Sequence, residues 1–170
     1  MKTNKIIFLL ITAFILAFTS CGDKDKDSGD TYLGQRLTKG APSSAKLAQY
    51  DIPETTLSEM FNSARAVDTS DANYKGYFEE SESGTSMLYF IWSNKDETKY
   101  NAVKTTLSSE LGTWTDLGDL SKFTDEFPAG TVLAAGGTYS SNTKAAVVIL
   151  FKKAYDDVPA GTMAVGYLIR

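Results

Sequence analysis

Residues 85–93 read TSMLYFIWS, and this run decides what kind of fold the chain can adopt. Successive side chains of a β-strand point to opposite faces, so Met87, Tyr89 and Ile91 would share one face. The residues between and after them are equally large and apolar, and they would occupy the other face. A strand that is apolar on both faces usually lies in the middle of a sheet and is covered on both sides. The stretch therefore predicts a central, doubly covered strand.

Further strands are predicted on both sides of this one. A short strand is possible at 32–38, and a strand at 74–80 leads into the polar turn 81–84. After it, the alternation of apolar residues predicts strands at 131–139, 144–153 and 161–169. The connections between these last three strands are short, which favours an antiparallel meander. The tetrapeptide PAGT enters a strand at 128–131 and again at 159–162, so we expect the same turn at both places.

Two helices are predicted. One covers 51–67, where apolar residues recur at the spacing of a helix face. Asp51 with Glu54, or Thr56 with Glu59, fits a capping box at its start. The second follows a capping box of Asn94 and Glu97 and ends near Gly112. Residues 113–130 are predicted to be a loop with at most one short helical turn.

These elements predict an α+β domain in the order α-ββ-α-βββ, with about five antiparallel strands and two helices. Among common folds this order resembles the PAS or profilin-like class, and a lipocalin-like or cystatin-like sheet is the main alternative. Such an analogy implies an architecture and carries no function with it.

Composition excludes several kinds of chemistry. The chain has 170 residues, no His and one Cys. Without His there is no Ser-His-Asp triad and no His-ligated zinc, and one Cys cannot form an intrachain disulfide or a CxxC pair. Acidic residues at 116–126 and 79–82 are expected to be solvated charges. We therefore predict no catalytic residue, no metal site and no cofactor.

The amino terminus has the character of a targeting signal. Lys2 and Lys5 precede an apolar run at 6–18, and small residues lead directly to Cys21. The run is too short for a stable membrane span. This arrangement resembles a bacterial lipoprotein signal, although Phe18 stands where that pattern prefers an aliphatic residue. The resemblance implies cleavage after residue 20, acylation of Cys21 and attachment to the membrane through acyl chains. The alternatives are a secreted protein with an incidental Cys21 or an uncleaved tail.

Residues 23–30 read DKDKDSGD and have no apolar face to bury. An acidic stretch after the lipidated Cys resembles the surface-export signal of lipoproteins of the Bacteroidetes type, which implies an outer-membrane protein that faces outward. A flexible tether is the simpler interpretation. The sequence thus divides into a signal at 1–20, an acylated Cys and tether at 21–30, and a domain at 31–170. Loss of 1–20 leaves 15 basic against 21 acidic residues, a net charge of −6, which disfavours nucleic acid as a partner.

Aromatic residues are the remaining functional signal. If the helices cover only one face of the sheet, the other could bind sugar rings or a partner protein through an aromatic surface. The candidate contacts are Tyr89, Phe90, Trp92 and Trp114. The alternative is burial of both faces by 31–50 and 113–130. We expect a non-catalytic domain that binds a glycan or a protein, and a small carboxylate-dependent glycan hydrolase or a structural envelope component are the alternatives.

Overall fold

A computed structural model of the chain describes residues 31–32, 35–52, 71–82, 84–138 and 144–169. Within these ranges it contains two α-helices, α1 at Ser44–Tyr50 and α2 at Glu97–Glu110. The strands are β1 at Thr31–Tyr32, β2 at Gln35–Arg36, β3 at Tyr74–Glu82, β4 at Thr85–Trp92, β5 at Thr113–Asp119, β6 at Val132–Thr138, β7 at Lys144–Phe151 and β8 at Thr162–Ile169. A 3₁₀ turn at Leu120–Lys122 follows β5. The predicted α+β class is confirmed.

Six of the strands form one antiparallel sheet in the order β3-β4-β8-β7-β6-β5. The strands β6, β7 and β8 are sequential neighbours, so the meander that the short connections predicted is confirmed. The strand β4 lies inside the sheet between β3 and β8, as its two apolar faces predicted. The short strands β1 and β2 pair with each other in a separate ribbon.

The sixth strand of the sheet is β5, which corrects the prediction of a loop over 113–130. Its sequence TWTDLGD mixes polar residues with glycine, because it lies at the edge of the sheet and pairs with β6 alone among the named strands. The register shifts between Asp116 and Gly118, and Gly118 takes a φ of 61°. A bulge of this kind twists an edge strand and makes it a poor template for further pairing.

The helix α1 lies in a stretch that the sequence did not predict to be helical. Ser43 is its N-cap, and the Ser43 hydroxyl accepts a hydrogen bond from the Lys46 N–H at 3.2 Å. The helix ends where Asp51 takes a left-handed conformation with a φ of 52°. Its Tyr50 is buried, and the Tyr50 hydroxyl donates to the Glu79 carboxylate at 2.9 Å. Most of the helix predicted over 51–67 lies outside the described residues.

The helix α2 confirms the second predicted helix but begins later than the capping box suggested. Asp96 is the N-cap, and its carboxylate accepts from the Lys99 N–H at 3.0 Å. Asn94 instead takes a left-handed φ of 51° in the turn before the helix. Tyr100, Val103 and Leu107 are buried against the sheet, as their spacing predicted.

The sheet is covered by apolar residues on both faces. The α2 face includes Phe90, Trp92 and Tyr167 together with the buried residues of α2. On the opposite face, Leu120, Phe127 and Val158 come from the connections after β5 and β7 and cover one end of the strands. The two-sided cover predicted from β4 is confirmed, because residues 87–92 are all 6% exposed or less.

The two PAGT segments form the same turn. The Thr131 N–H donates to the Pro128 carbonyl at 3.1 Å, and the Thr162 N–H donates to the Pro159 carbonyl at 3.3 Å. In both turns the third residue is a glycine with positive φ, 69° at Gly130 and 79° at 161. This is the arrangement of a type II turn, which requires φ above zero at that position. The repeated tetrapeptide is therefore repeated turn chemistry, as predicted.

Candidate functional site

The sheet face opposite α2 carries a small apolar cleft that is partly open to solvent. It lies where the connections after β5 and β7 no longer cover the strands. Its lining comes from four neighbouring strands, β4, β8, β7 and β6, and consists of Met87, Tyr89, Gly136, Gly137, Ala145, Ala146, Val147, Gly166, Tyr167 and Leu168. Almost all of these groups are apolar, so the cleft suits an apolar molecule or side chain.

The cleft runs across the strands, because residues in register on neighbouring strands share a face. Tyr89 is in register with Gly166, Gly166 with Val147, and Val147 with Gly136. In this row Tyr89 stands at one end and Gly136 at the other, with Gly166 and Val147 between them. The parallel row beside it brings Met87, Leu168 and Ala145 together. The cleft is thus a trough with a floor of backbone and short side chains.

The glycines of the floor cannot be replaced without strain. A Cβ on Gly166 would lie 2.6 Å from a ring carbon of Tyr89 and 3.1 Å from a methyl of Val147. A Cβ on Gly136 would lie 2.9 Å from the Ala146 carbonyl oxygen. The Tyr89 ring therefore lies directly against the backbone of Gly166. Its other neighbour is the Phe78 ring, with centroids 4.7 Å apart and planes inclined by 24°.

Tyr89 is one of two tyrosines in the lining, and its hydroxyl donates to the Met87 sulfur at 2.8 Å. Burial raises the pKa of this hydroxyl, and the charge of the Glu80 carboxylate raises it further. The hydroxyl therefore stays protonated and acts as a hydrogen-bond donor rather than as a base or nucleophile.

Polar groups stand at the two ends of the trough. At the β5 end, Thr115 is in register with Gly136, and Thr138 is in register with Ala145. The hydroxyls of Thr113 and Thr138 lie 2.6 Å apart. At the β3 end, Glu80 is in register with Met87. The two rows therefore continue to threonines on one side and to Glu80 on the other, and these residues lie beyond the lining of the cleft.

The four aromatic residues predicted as contacts are not brought together. Tyr89 lines the cleft, whereas Phe90 and Trp92 are 0% exposed on the α2 face. A ligand could reach those two rings only if the elements that cover them moved. Trp114 lies on β5 rather than in the loop predicted for it, and it packs half-buried against the α2-side layer. Cys21 lies outside the described residues.

The other residues of the cleft were not predicted as contacts from the sequence. A signal for them was present, since glycine inside a strand often marks a place where another group approaches the backbone closely. Gly136 and Gly166 both interrupt otherwise apolar strands. Their register partners could not be assigned without the order of the strands.

Two acidic side chains away from the cleft take part in structural contacts. Asp119 accepts from the Gly130 and Ser121 N–H groups, and these bonds lower the pKa of its carboxyl. The ion pair with Lys46 likewise lowers the pKa of Glu79. A general acid needs the opposite shift, because it must hold its proton near neutral pH. Where the structure is described, no group of three His, Cys, Asp or Glu residues could hold a metal ion.

No family model matches the chain, and no curated protein or solved structure matches it either. In the described parts of the chain, neither helix is long and apolar enough to cross a membrane.

Proposed function

We propose that the protein is a lipid-anchored envelope protein, displayed on the outer face of the outer membrane, whose domain binds a small apolar group without catalysis. The observation that carries the binding role is the cleft over Gly136 and Gly166. Sugar hydroxyls need several hydrogen-bond partners, and the lining supplies almost none. We therefore favour an apolar ligand over the glycan that the aromatic content suggested.

The anchoring role rests on the basic residues, the apolar run at 6–18 and Cys21. A single acyl chain gives only marginal binding to a membrane, whereas two or more hold a protein firmly. Growth of a bacterial host with an alkyne-labelled fatty acid should label the wild-type protein and leave Cys21→Ser unlabelled. Label on the Cys21→Ser protein would contradict the anchor. Cleavage of the wild-type protein by protease added to intact cells tests its outward orientation.

Binding can be tested with N-phenyl-1-naphthylamine, an uncharged dye whose fluorescence rises in apolar surroundings. The substitution Val147→Phe places a ring on the half-buried floor of the cleft, so it should abolish dye binding while the protein still unfolds cooperatively. The matched control is Leu133→Phe, which adds a ring at a half-buried position on the opposite face of the sheet. Equal loss of binding in both variants, or in neither, would refute the cleft as the binding site.

A further inference from the structure

Met87 gives the cleft a group that reacts with small oxidants. Peroxides oxidise the thioether of methionine to a sulfoxide, and reductases return the sulfoxide to the thioether. The chain has four methionines, of which Met87 and Met163 lie within the described residues. Met163 is 0% exposed in the layer under α2, whereas Met87 is 6% exposed and lines the partly open cleft. Hydrogen peroxide is little larger than water, so the small size of the cleft does not exclude it from the Met87 sulfur.

The Tyr89 hydroxyl is placed to donate to the product of that oxidation. It already donates to the Met87 sulfur at 2.8 Å, although a thioether is only a weak acceptor. Burial raises the pKa of this hydroxyl, so it keeps its proton at neutral pH. A sulfoxide oxygen is a polar acceptor, and its burial costs free energy unless a donor is present. At Met87 such a donor is in contact with the sulfur before oxidation begins.

Met163 provides the matched comparison inside the same chain. It lies on β8 in register with Trp92 on one side and Leu150 on the other. A sulfoxide oxygen at this position would lie among apolar side chains of the layer under α2. Both burial and surroundings therefore oppose oxidation of Met163 and favour oxidation of Met87.

We propose that Met87 is an oxidation site of the domain, and that the Tyr89 hydroxyl donates a hydrogen bond to the sulfoxide oxygen formed there. In the reaction with hydrogen peroxide, a lone pair of the sulfur attacks one peroxide oxygen and the O–O bond breaks. The departing hydroxide removes the proton from the transferred hydroxyl group, which leaves the sulfoxide and water. The sulfur is oxidised, and the peroxide is reduced.

The new oxygen would change what the cleft can bind. It adds a polar atom to a lining that is almost wholly apolar, so an apolar ligand would lose part of its contact surface. Oxidation of Met87 should therefore weaken the binding of an apolar ligand. This effect on binding rests on the proposed function, whereas the oxidation site itself does not.

The first test treats the full chain with hydrogen peroxide at neutral pH and follows each methionine by peptide mass spectrometry. In the folded protein, Met87 should be oxidised at least about tenfold faster than Met163, because oxidation follows access to the sulfur. In urea the two rates should become equal, which would show that the fold protects Met163. Equal rates in the folded protein, or faster oxidation of Met163, would overturn the proposal.

The second test concerns the contact with Tyr89, in a Met60→Leu background that removes an oxidisable residue outside the described ranges. Tyr89→Phe keeps the ring and removes the hydroxyl, so the sulfoxide oxygen loses its donor. Oxidation should therefore lower the thermal unfolding midpoint of Tyr89→Phe by at least about 3 °C more than that of the parent protein. Met87→Leu should abolish the shift, and the control Met163→Leu should retain it. Equal shifts with and without the hydroxyl, or a shift that persists in Met87→Leu, would refute the assigned contact.

The third test measures the effect on binding with N-phenyl-1-naphthylamine. The reduced protein should bind the dye, oxidation should weaken binding at least about tenfold, and Met87→Leu should keep its binding after peroxide treatment. Unchanged binding after oxidation of Met87 would refute the effect on the cleft. Selective oxidation of Met87 in a protein that binds no dye in either state would refute the proposed function and support the oxidation site.

Discussion

The substitution Gly166→Ala tests whether the Tyr89 ring packs directly against the backbone of Gly166, as the structure shows. The added Cβ would meet two ring carbons at 2.6 and 2.7 Å and a Val147 methyl at 3.1 Å. Ordinary carbon contacts are about 3.5–4.0 Å, so the ring must move by about 1 Å. Movement away from β8 takes it towards Phe78, which already stacks on it at 4.7 Å. Overpacking costs about 1–3 kcal/mol, and the smaller entropy of the unfolded alanine chain offsets about 0.4–1 kcal/mol. We expect a net loss of about 1–2 kcal/mol.

The assay is urea unfolding of a chain that begins at Gly22, monitored by tryptophan fluorescence. It is combined with a double-mutant cycle. Tyr89→Leu removes the ring that the new methyl group would contact. In that background Gly166→Ala should be neutral or slightly stabilising, which gives a coupling energy of about 1–3 kcal/mol. An equal cost of Gly166→Ala in both backgrounds would show that the strain comes from the strand and not from the ring. A stabilising effect in the wild-type chain would refute the packing altogether.

Three further predictions concern other parts of the fold. Gly137→Ala would place a Cβ 2.0 Å from the Thr113 carbonyl oxygen, which only a displacement of β5 can relieve, so urea unfolding should show a loss of about 3 kcal/mol or more. Asp96→Ala removes the N-cap of α2 and should lower the free energy of unfolding by about 1 kcal/mol in the same assay, whereas no change would refute the assigned helix start. Partial burial opposes ionisation of Asp71, but the Asn73 N–H and the Lys95 ammonium lower the pKa of its carboxyl overall. The contribution of ionised Asp71 to the free energy of unfolding is therefore complete above about pH 5 and is lost as the pH falls through the lowered pKa. In a pH series, the unfolding midpoint of Asp71→Asn should fall less at acid pH than that of the wild-type protein.

The parts of the fold that the sequence predicted are those where burial alone sets the pattern. The strand β4 is apolar on both faces because it lies between β3 and β8 under two apolar layers. In α2, the spacing of Tyr100, Val103 and Leu107 follows from one face packing on the sheet. Such patterns do not depend on distant partners, so they are visible in the local sequence.

The parts that were missed depend on partners far along the chain. The helix α1 has only seven residues and little apolar surface of its own, and it is held by contacts of Tyr50 and Lys46 with Glu79 on β3. The strand β5 is polar because it is an edge strand, and its place follows from pairing with β6. Neither partner can be assigned before the order of the strands is known.

Of the four aromatic residues predicted as contacts, Tyr89 lines the cleft, and two of the others are buried for a related reason. Large aromatic rings contribute most when they are buried, and in this chain Phe90 and Trp92 fill the layer under α2. A cleft on a sheet forms instead where side chains are short. A prediction based on large aromatic residues therefore leaves out most residues of such a cleft.

One face of the sheet is filled by large buried side chains and the other carries the cleft, although the same strands form both. Glycine weakens a strand, because it has no side chain to pack and it loses more conformational entropy on folding than other residues do. At Gly166 the packing of the Tyr89 ring against the backbone compensates for this cost. At Gly136 the added Cβ would press on a backbone carbonyl of the neighbouring strand, and beside it Val147 stays half-buried in the trough. Packing therefore accounts for both glycines, because a larger residue at either position would displace a ring or a neighbouring strand. The cleft is a consequence of that packing, and the dye assay with Val147→Phe decides whether it also binds a ligand.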